Sequence, residues 1–216
     1  MPRGSGRICI AGLRQRGRDW YVDSVPSPAG HLLAGVAVAW AAEAFEPLRR
    51  RVVSAGRPSR AAPVATPLVL ACVALALAPD LDILLASHRT YTHSIAAAAL
   101  AALAGGSVAR ALRAPGLATG LACGLAVASH IALDWLGHDT STPRGLMALW
   151  PVSSAHYYSG LDLFADISRR YWKPEEFILK NAVSIVREVA ILGPVVALAW
   201  WARKRVLASR EGHPGV

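Results

Sequence analysis

The sequence predicts an all-α integral membrane protein, a helical bundle with four or five spans and an interfacial segment rich in aromatic residues. Hydrophobic residues make up 54% of the 216 residues, and the mean hydropathy is +0.36. The apolar residues are grouped into runs close to the roughly 20 residues that a helix needs to cross a bilayer. We expect five helices, over about 29–45, 63–87, 94–112, 116–137 and 182–201, the first being short and interrupted by Glu43.

Basic residues between the apolar runs predict the orientation of the chain. With five spans, the clusters Arg49-Arg50-Arg51, Arg110 with Arg113, and Arg203-Lys204-Arg205 share one side of the membrane. Positively charged loops favour the cytoplasmic side, so we expect a multi-pass protein with these clusters in the cytoplasm. This explains the net charge of +9 better than nucleic-acid binding does, and we expect membrane lipid, not nucleic acid, as a partner.

The ends of the chain differ from its membrane domain. Residues 1–25 hold five arginines without a signal-peptide pattern, and we expect a disordered basic tail, with Val25 as a candidate alternative start. The membrane domain covers 26–202, and 203–216 form a basic C-terminal tail. The cysteines lie far apart without a CxxC pair, which predicts neither a disulfide framework nor a thiolate metal site.

Three motifs place ionisable groups in or beside the apolar runs: PDLD at 79–82, HRTYTHS at 88–94 and SHIALD at 129–134. A charged side chain at the centre of a bilayer costs roughly 2.5–3.5 kcal/mol, so such groups need a partner or a function. Carboxylates and imidazoles are ligands of zinc, manganese and iron. In the five-span topology they share the non-cytoplasmic face. We therefore predict a divalent metal site, with zinc first and manganese or iron as alternatives, formed by His31, Asp82, His88, His93, His130 and Asp134.

His130 and Asp134 lie four residues apart, on one face of a helix, where a pair can bind one ion. His138 continues this spacing, but Gly137 is expected to end the helix before it. The alternative is a hydrogen-bonded pair that stabilises the bundle without a metal.

Pro79 should interrupt the second helix and place Asp80 and Asp82 in a terminal loop. One carboxylate could bind metal or act as general base while the other orients a histidine, and we predict both as catalytic. The alternative is that they cap the following turn.

Two further segments carry predictions with an open alternative. Arg89 could hold an anionic substrate group such as phosphate, or serve as an anchor at head-group level. Thr92 or Ser94 could cap the third helix. The aromatic-rich segment 138–180 is expected either to cover the site as a lid or as interfacial helices, or to form a loop packed on the helix ends.

The chain contains, in this order, PSPAGHLL, PDLD, HRTYTHS, SHIALD and a later LWP. This ordered set resembles the YdjM-type family of inner-membrane metal-dependent hydrolases, over about residues 26–201. The resemblance implies a location in the cell inner membrane, a metal-dependent hydrolase and, because the family is also described as LexA-binding, a LexA-type partner. More distantly, the order of aspartates and histidines is similar to bacterial zinc-dependent phospholipase C proteins. The site residues that the resemblance implies are His31, Asp80, Asp82, His88, His93, His130 and Asp134.

The predicted function is hydrolysis by metal-activated water, of a phosphoester or another lipid-linked bond. The sequence contains no Gly-rich phosphate loop, G-x-S-x-G or H-E-x-x-H motif, so serine-nucleophile chemistry has no support. A metal or proton transporter is the first alternative, because the same side chains line ion pathways. A membrane stress-response scaffold with a structural site is the second.

Overall fold

The computed structural model describes residues 26–45, 64–85, 89–140 and 142–208. Within these residues the chain is helical and has isolated β-bridges but no strand. The predicted basic tail at 1–25, the arginines of 49–60 and His88 lie outside the described residues. The described residues form five α-helices: α1 Pro28–Glu43, α2 Pro67–Leu77, α3 Ile95–Ala111, α4 Gly116–Leu136 and α5 Pro174–Ala208. Between α2 and α3 lie two 3-10 segments, Ala78–Leu85 and Tyr91–His93.

Three of the described stretches are long and apolar enough to cross a membrane: Pro67–Leu84, Gly116–Leu136 and Pro174–Ala208. Helix α3 is apolar but has 17 residues, and α1 has 16. At about 1.5 Å per residue, both are shorter than a bilayer core of about 30 Å. The all-helical membrane character is therefore supported with three candidate spans, and the four or five spans stay a prediction.

Proline and hydroxyl side chains set where the helices begin and end. Ser27 and Thr66 cap α1 and α2, each of which has a proline in its first turn. Ser94 caps α3 by accepting a hydrogen bond from the N–H of Ala97 at 3.3 Å, so the predicted cap at Ser94 is confirmed. At Pro79 the chain leaves the α-helix for a 3-10 turn, as the missing N–H of proline predicts.

Helix α5 is longer at both ends than the apolar run predicted. It begins at Pro174, where proline and two acidic residues in the first turn favour a helix start. It continues to Ala208, so the domain boundary predicted at residue 202 falls inside a helix. Arg203, assigned to the basic tail, is fully buried instead, because it pairs with a carboxylate on α1.

Helix α1 lies at the centre of the bundle and packs on α2, α4 and α5, while α3 packs on α4. Small side chains allow close approach, as is typical of membrane helices. Gly120 of α4 is an example, since an added Cβ would lie 2.5 Å from the backbone oxygen of Ala102 on α3. The close packing holds the ends of the helices in fixed positions relative to one another.

The segment between α4 and α5 contains no helix in its described residues, 137–140 and 142–173, so the prediction of interfacial helices is wrong there. Backbone hydrogen bonds fix it to the helix ends instead: the N–H of Leu163 donates to Leu136 at 2.8 Å, and the N–H of Ile95 donates to Ala148 at 2.8 Å. Phe164 packs in a buried cluster with Ala34 and Leu133. The loop packed on the helix ends is the alternative that the structure supports.

Candidate metal centre

Four of the predicted side chains converge on one point. Asp80 comes from the 3-10 segment after α2, His93 from the turn before α3, and His130 and Asp134 from the last turns of α4. One ligand atom of each lies within 4.8 Å of the others. The helices run in alternating directions, which brings these chain positions to the same end of the bundle.

The distances within the cluster suit a single ion. His130 Nε2 lies 3.1 Å from His93 Nε2 and 3.4 Å from Asp134 Oδ2. Asp80 Oδ1 lies 3.8 Å from His93 Nε2 and 3.7 Å from His130 Nε2. Zinc bonds of about 2.0–2.2 Å in a tetrahedron place ligand atoms roughly 3.3–3.6 Å apart. The pairs that involve an imidazole therefore lie near the separation that a shared cation requires, and all four atoms lie within 4.8 Å of one another.

Contacts behind the two imidazoles turn their Nε2 atoms toward this point. His130 Nδ1 lies 2.7 Å from the carbonyl oxygen of Ala76, and His93 Nδ1 lies 3.2 Å from Asp82 Oδ2. Asp82 in turn accepts hydrogen bonds from the Thr92 hydroxyl at 2.6 Å and the Arg89 N–H at 3.2 Å. A carboxylate behind a histidine is the usual arrangement around metal-binding imidazoles. Asp82 thus lies on the far side of His93 from the cluster, whereas Asp80 lies within it.

The surroundings of His93 favour a positive charge at this position. Burial lowers the pKa of His93, but the carboxylates of the surrounding Asp134, Asp80 and Asp82 outweigh it and hold that pKa well above the ordinary value of 6.5. Either a proton on this ring or a cation at the cluster would balance the negative charge of the buried carboxylates.

His31, at the start of α1, completes one wall of the cluster. Its Nε2 lies 3.3 Å from Asp134 Oδ1, and its ring is stacked on His130 with 3.9 Å between the centroids. Both ring nitrogens of His31 and both carboxylate oxygens of Asp134 are buried and have no hydrogen-bond partner among the described residues. Burying a carboxylate without such partners is unfavourable unless a cation compensates it. These atoms therefore fit a metal ion.

Arg89 connects the cluster to the irregular segment. It is buried, and its Nη1 lies 2.5 Å from Asp139 Oδ1. Its backbone N–H donates to Asp82, and its carbonyl accepts from the N–H of Met147. The buried pairing differs from an exposed head-group anchor. Asp139 also accepts a hydrogen bond from the N–H of Gly145 at 2.6 Å. A role for Asp139 was not predicted from the sequence, and the only signal for it was its position directly after His138.

The remaining predicted residues lie apart from the cluster. Helix α4 ends at Leu136, and His138 forms an exposed contact with Asp162, with 3.2 Å from Nδ1 to Oδ2. The interpretation that His130 and Asp134 act as a pair without His138 is consistent with this geometry. His88 lies outside the described residues, and its role as a ligand stays a prediction.

Two other buried carboxylates have structural partners. Glu43, at the end of α1, lies 2.5 Å from Arg203 Nε and accepts a hydrogen bond from the Thr66 hydroxyl. Glu188 of α5 accepts hydrogen bonds from the backbone N–H and the hydroxyl of Ser27. Both ends of α1 are thereby joined to α5.

A family model described as YdjM inner membrane protein matches residues 27–206, which is most of the chain. The chain therefore belongs to the YdjM family of inner membrane proteins, as the ordered motifs predicted. No curated protein and no solved structure matches it.

Proposed function

We propose that this member of the YdjM family is a metal-dependent hydrolase that acts on a phosphoester or another lipid-linked bond. The observation that carries the proposal is the convergence of Asp80, His93, His130 and Asp134 within 4.8 Å at one end of the bundle. A divalent cation bound there would lower the pKa of water toward about 7 and polarise the bond to be cleaved.

The geometry suggests a division of roles among the side chains. His93, His130 and Asp134 would bind the ion, with zinc first because imidazoles and carboxylates at these separations suit it. Asp80 would bind at the exposed side and take up the proton of the attacking water, since its side chain reaches the surface. Asp82 would orient His93, which changes its predicted role from ligand to supporting carboxylate.

Two further residues have supporting roles in the proposal. His31 would hold Asp134 in place or serve as a further ligand. Arg89, buried against Asp139, would position the loop beside the cluster and present positive charge toward an anionic substrate.

The distribution of arginines supports a site near the non-cytoplasmic face. The cluster lies at the start of α3 and the end of α4, whereas Arg110 lies at the end of α3 and Arg113 directly before α4. Arg203, Lys204 and Arg205 lie near the end of α5, beside the Glu43 end of α1. Since positive loops favour the cytoplasm, we propose a multi-pass protein in which α1 and α3 also cross the membrane, with the cluster on the other side.

One observation favours hydrolysis over metal or proton transport. Transport needs polar groups along a path between both sides of the membrane. The buried residues of α1 between His31 and Glu43 are small or apolar: Ala34, Gly35, Ala37, Ala39 and Trp40. On this helix no buried polar group therefore joins the cluster to the Glu43–Arg203 pair at the other end. A site that is not continued across the membrane is more typical of a substrate that enters and leaves from one face. The LexA-type partner follows from the family resemblance alone, and we assign it no residues.

Metal analysis and hydrolysis assays on the same preparations test this function. The protein is purified in detergent, reloaded with zinc or manganese, and assayed on phosphoesters and phospholipids. We expect about one ion per chain in the wild type and at most a trace in the variants His93→Ala and Asp134→Ala. Hydrolysis should fall at least about 100-fold in both variants, because loss of a ligand should cost no less than the roughly 10- to 100-fold typical of residues that only support a ligand.

His156→Ala is the matched control, because this histidine lies outside the cluster, and it should keep metal and activity. A wild-type protein that does not hold about one ion per chain after incubation with excess metal would contradict the site itself. Bound metal without turnover would favour the transporter or the scaffold.

A further inference from the structure

We propose that the substrate reaches the cluster sideways from the membrane, as an amphiphile with an anionic phosphate head group and a hydrocarbon chain. The inference rests on the proposed hydrolase function and adds to it the class of substrate. It is carried by the surface around Asp80, where four exposed apolar side chains, Leu81, Ile83, Leu84 and Tyr91, form what we call the apolar rim.

Among the described residues, the cluster is accessible at Asp80. The Asp80 side chain is 28% exposed, whereas the side chains of His93, His130 and Asp134 are at most 1% exposed. His31 closes another wall with its buried, stacked ring. Within the described part of the chain, Asp80 is therefore where a substrate can meet the ion.

Three rim residues lie within four positions of Asp80 in the same 3-10 segment, and Tyr91 belongs to the 3-10 turn that contacts this segment. The exposed fractions are 63% for Leu81, 44% for Ile83, 80% for Leu84 and 56% for Tyr91. In the same 3-10 segment, Asp82 is buried and points to His93. The chain thus turns both carboxylates inward, Asp80 to the cluster and Asp82 to His93, and its leucines outward.

The position of the rim indicates that it contacts lipid. Three of its members belong to the stretch Pro67–Leu84, which is long and apolar enough to span a membrane. Apolar side chains in such a stretch are stable against acyl chains and unfavourable against water. Tyr91 meets Trp150 edge to face at 5.1 Å between ring centroids, and such aromatic rings favour the membrane–water interface. The opening therefore lies at the depth where phosphate head groups and the first part of their chains meet.

This surface distinguishes two kinds of phosphoester. An amphiphile keeps its chain on the rim while its phosphate reaches the ion past Asp80, so its binding gains from both contacts. A small water-soluble phosphoester has no chain to place on the rim and gains from the ion alone. Affinity for a phosphate probe should therefore increase with chain length, and the increase should depend on the rim.

The test uses dodecylphosphonate and methylphosphonate, two probes that bind as phosphates do and are not hydrolysed. Their binding to the manganese-loaded full-length protein in detergent is followed by the electron paramagnetic resonance signal of the ion. The rim variant is Leu81→Gln with Leu84→Gln. The matched control is Leu100→Gln with Leu103→Gln on α3, whose side chains are 65% and 68% exposed.

We expect the wild type to bind dodecylphosphonate at least about 100-fold more tightly than methylphosphonate, because of the apolar area that the chain covers. The rim variant should lose roughly 10- to 100-fold in dodecylphosphonate affinity, with unchanged metal content and methylphosphonate affinity. The control should match the wild type. Unchanged metal content shows that the rim variant is folded.

Equal affinity for both probes, a rim variant that binds like the wild type, or no perturbation by either probe would each overturn the inference. Chain-dependent binding without hydrolysis of any long-chain phosphoester would refute the proposed hydrolase and leave lateral binding of an amphiphile supported. Hydrolysis that prefers short soluble phosphoesters would support the hydrolase and overturn this inference.

Discussion

Helix α1 carries a buried cluster of charged or ionisable side chains at each end, and the two clusters are built differently. At the Glu43 end, the carboxylate lies 2.5 Å from the guanidinium of Arg203 and accepts the hydroxyl of Thr66. At the His31 end, the carboxylate of Asp134 faces imidazoles, and its two oxygens have no hydrogen-bond partner among the described residues. The first cluster carries its own cation, whereas the second has acceptors directed at a shared point.

The difference separates a structural ion pair from a binding site. A buried pair with a permanent counter-charge is complete without a ligand, and removing one partner is costly. A group of carboxylates and imidazoles is completed by a proton or by a metal ion, so its state depends on solution conditions. Three substitutions or titrations test this comparison.

The largest effect on stability is expected at the Glu43 end of α1. Glu43→Ala leaves the Arg203 guanidinium buried without its carboxylate, which should lower the free energy of unfolding by about 3–5 kcal/mol. Denaturant unfolding in detergent measures this loss. The folded fraction should still bind metal, and a Glu43→Ala protein that loses its metal at unchanged stability would show that the two ends are not independent.

Metal binding should change the stability of the protein only through the cluster at the His31 end of α1. At a free metal concentration 100 times the dissociation constant, binding to the folded state should add about 2.7 kcal/mol to the free energy of unfolding. Thermal unfolding with metal and with chelator measures the shift, which the wild type and Glu43→Gln should share. Asp134→Asn keeps the shape of the side chain but removes its charge, and an undiminished shift in this variant would exclude Asp134 as a ligand.

The smallest effect is expected behind the cluster. Asp82→Asn weakens the contact that orients His93 and should reduce metal affinity about 10- to 100-fold, as is typical for carboxylates that support a metal-binding histidine. Competition with a coloured chelator measures the affinity. Asp162→Asn is the control, because Asp162 also faces a histidine but lies outside the cluster. Complete loss of metal in Asp82→Asn would instead identify Asp82 as a direct ligand.

Several features were predictable because they depend on local chemistry. Hydrophobic runs indicate helices, and proline at position 79 indicates where α2 must change its geometry. His130 and Asp134 share a helix face because they are four residues apart, whatever their surroundings. Alternating helix directions then bring the ends of α2 and α4 to the start of α3. The convergence of the site could be predicted from these steps.

Other features depend on contacts between distant residues and could not be predicted. Whether Asp80 or Asp82 faces the cluster is decided by the 3-10 turn, since the two side chains point differently from it. Arg203 follows an apolar run like any basic flank, and its partner Glu43 lies on another helix. The pairing of Arg89 with Asp139 depends on how the irregular segment folds over the helix ends, for which its sequence offers no periodic pattern.

The connection of α1 to α5 bears on how the chain is made. Glu43 and Arg203 are 160 residues apart, and Ser27 and Glu188 are 161 apart, so the earliest described helix to be synthesised is completed by the last. While the ribosome is still adding the later segments, Glu43 does not yet have the Arg203 guanidinium as its partner, and a carboxylate without that partner is less stable in lipid. Contacts between distant parts of a chain also form slowly. Among the described helices, α1 is therefore made first and reaches its final place among the last, when α5 enters the membrane.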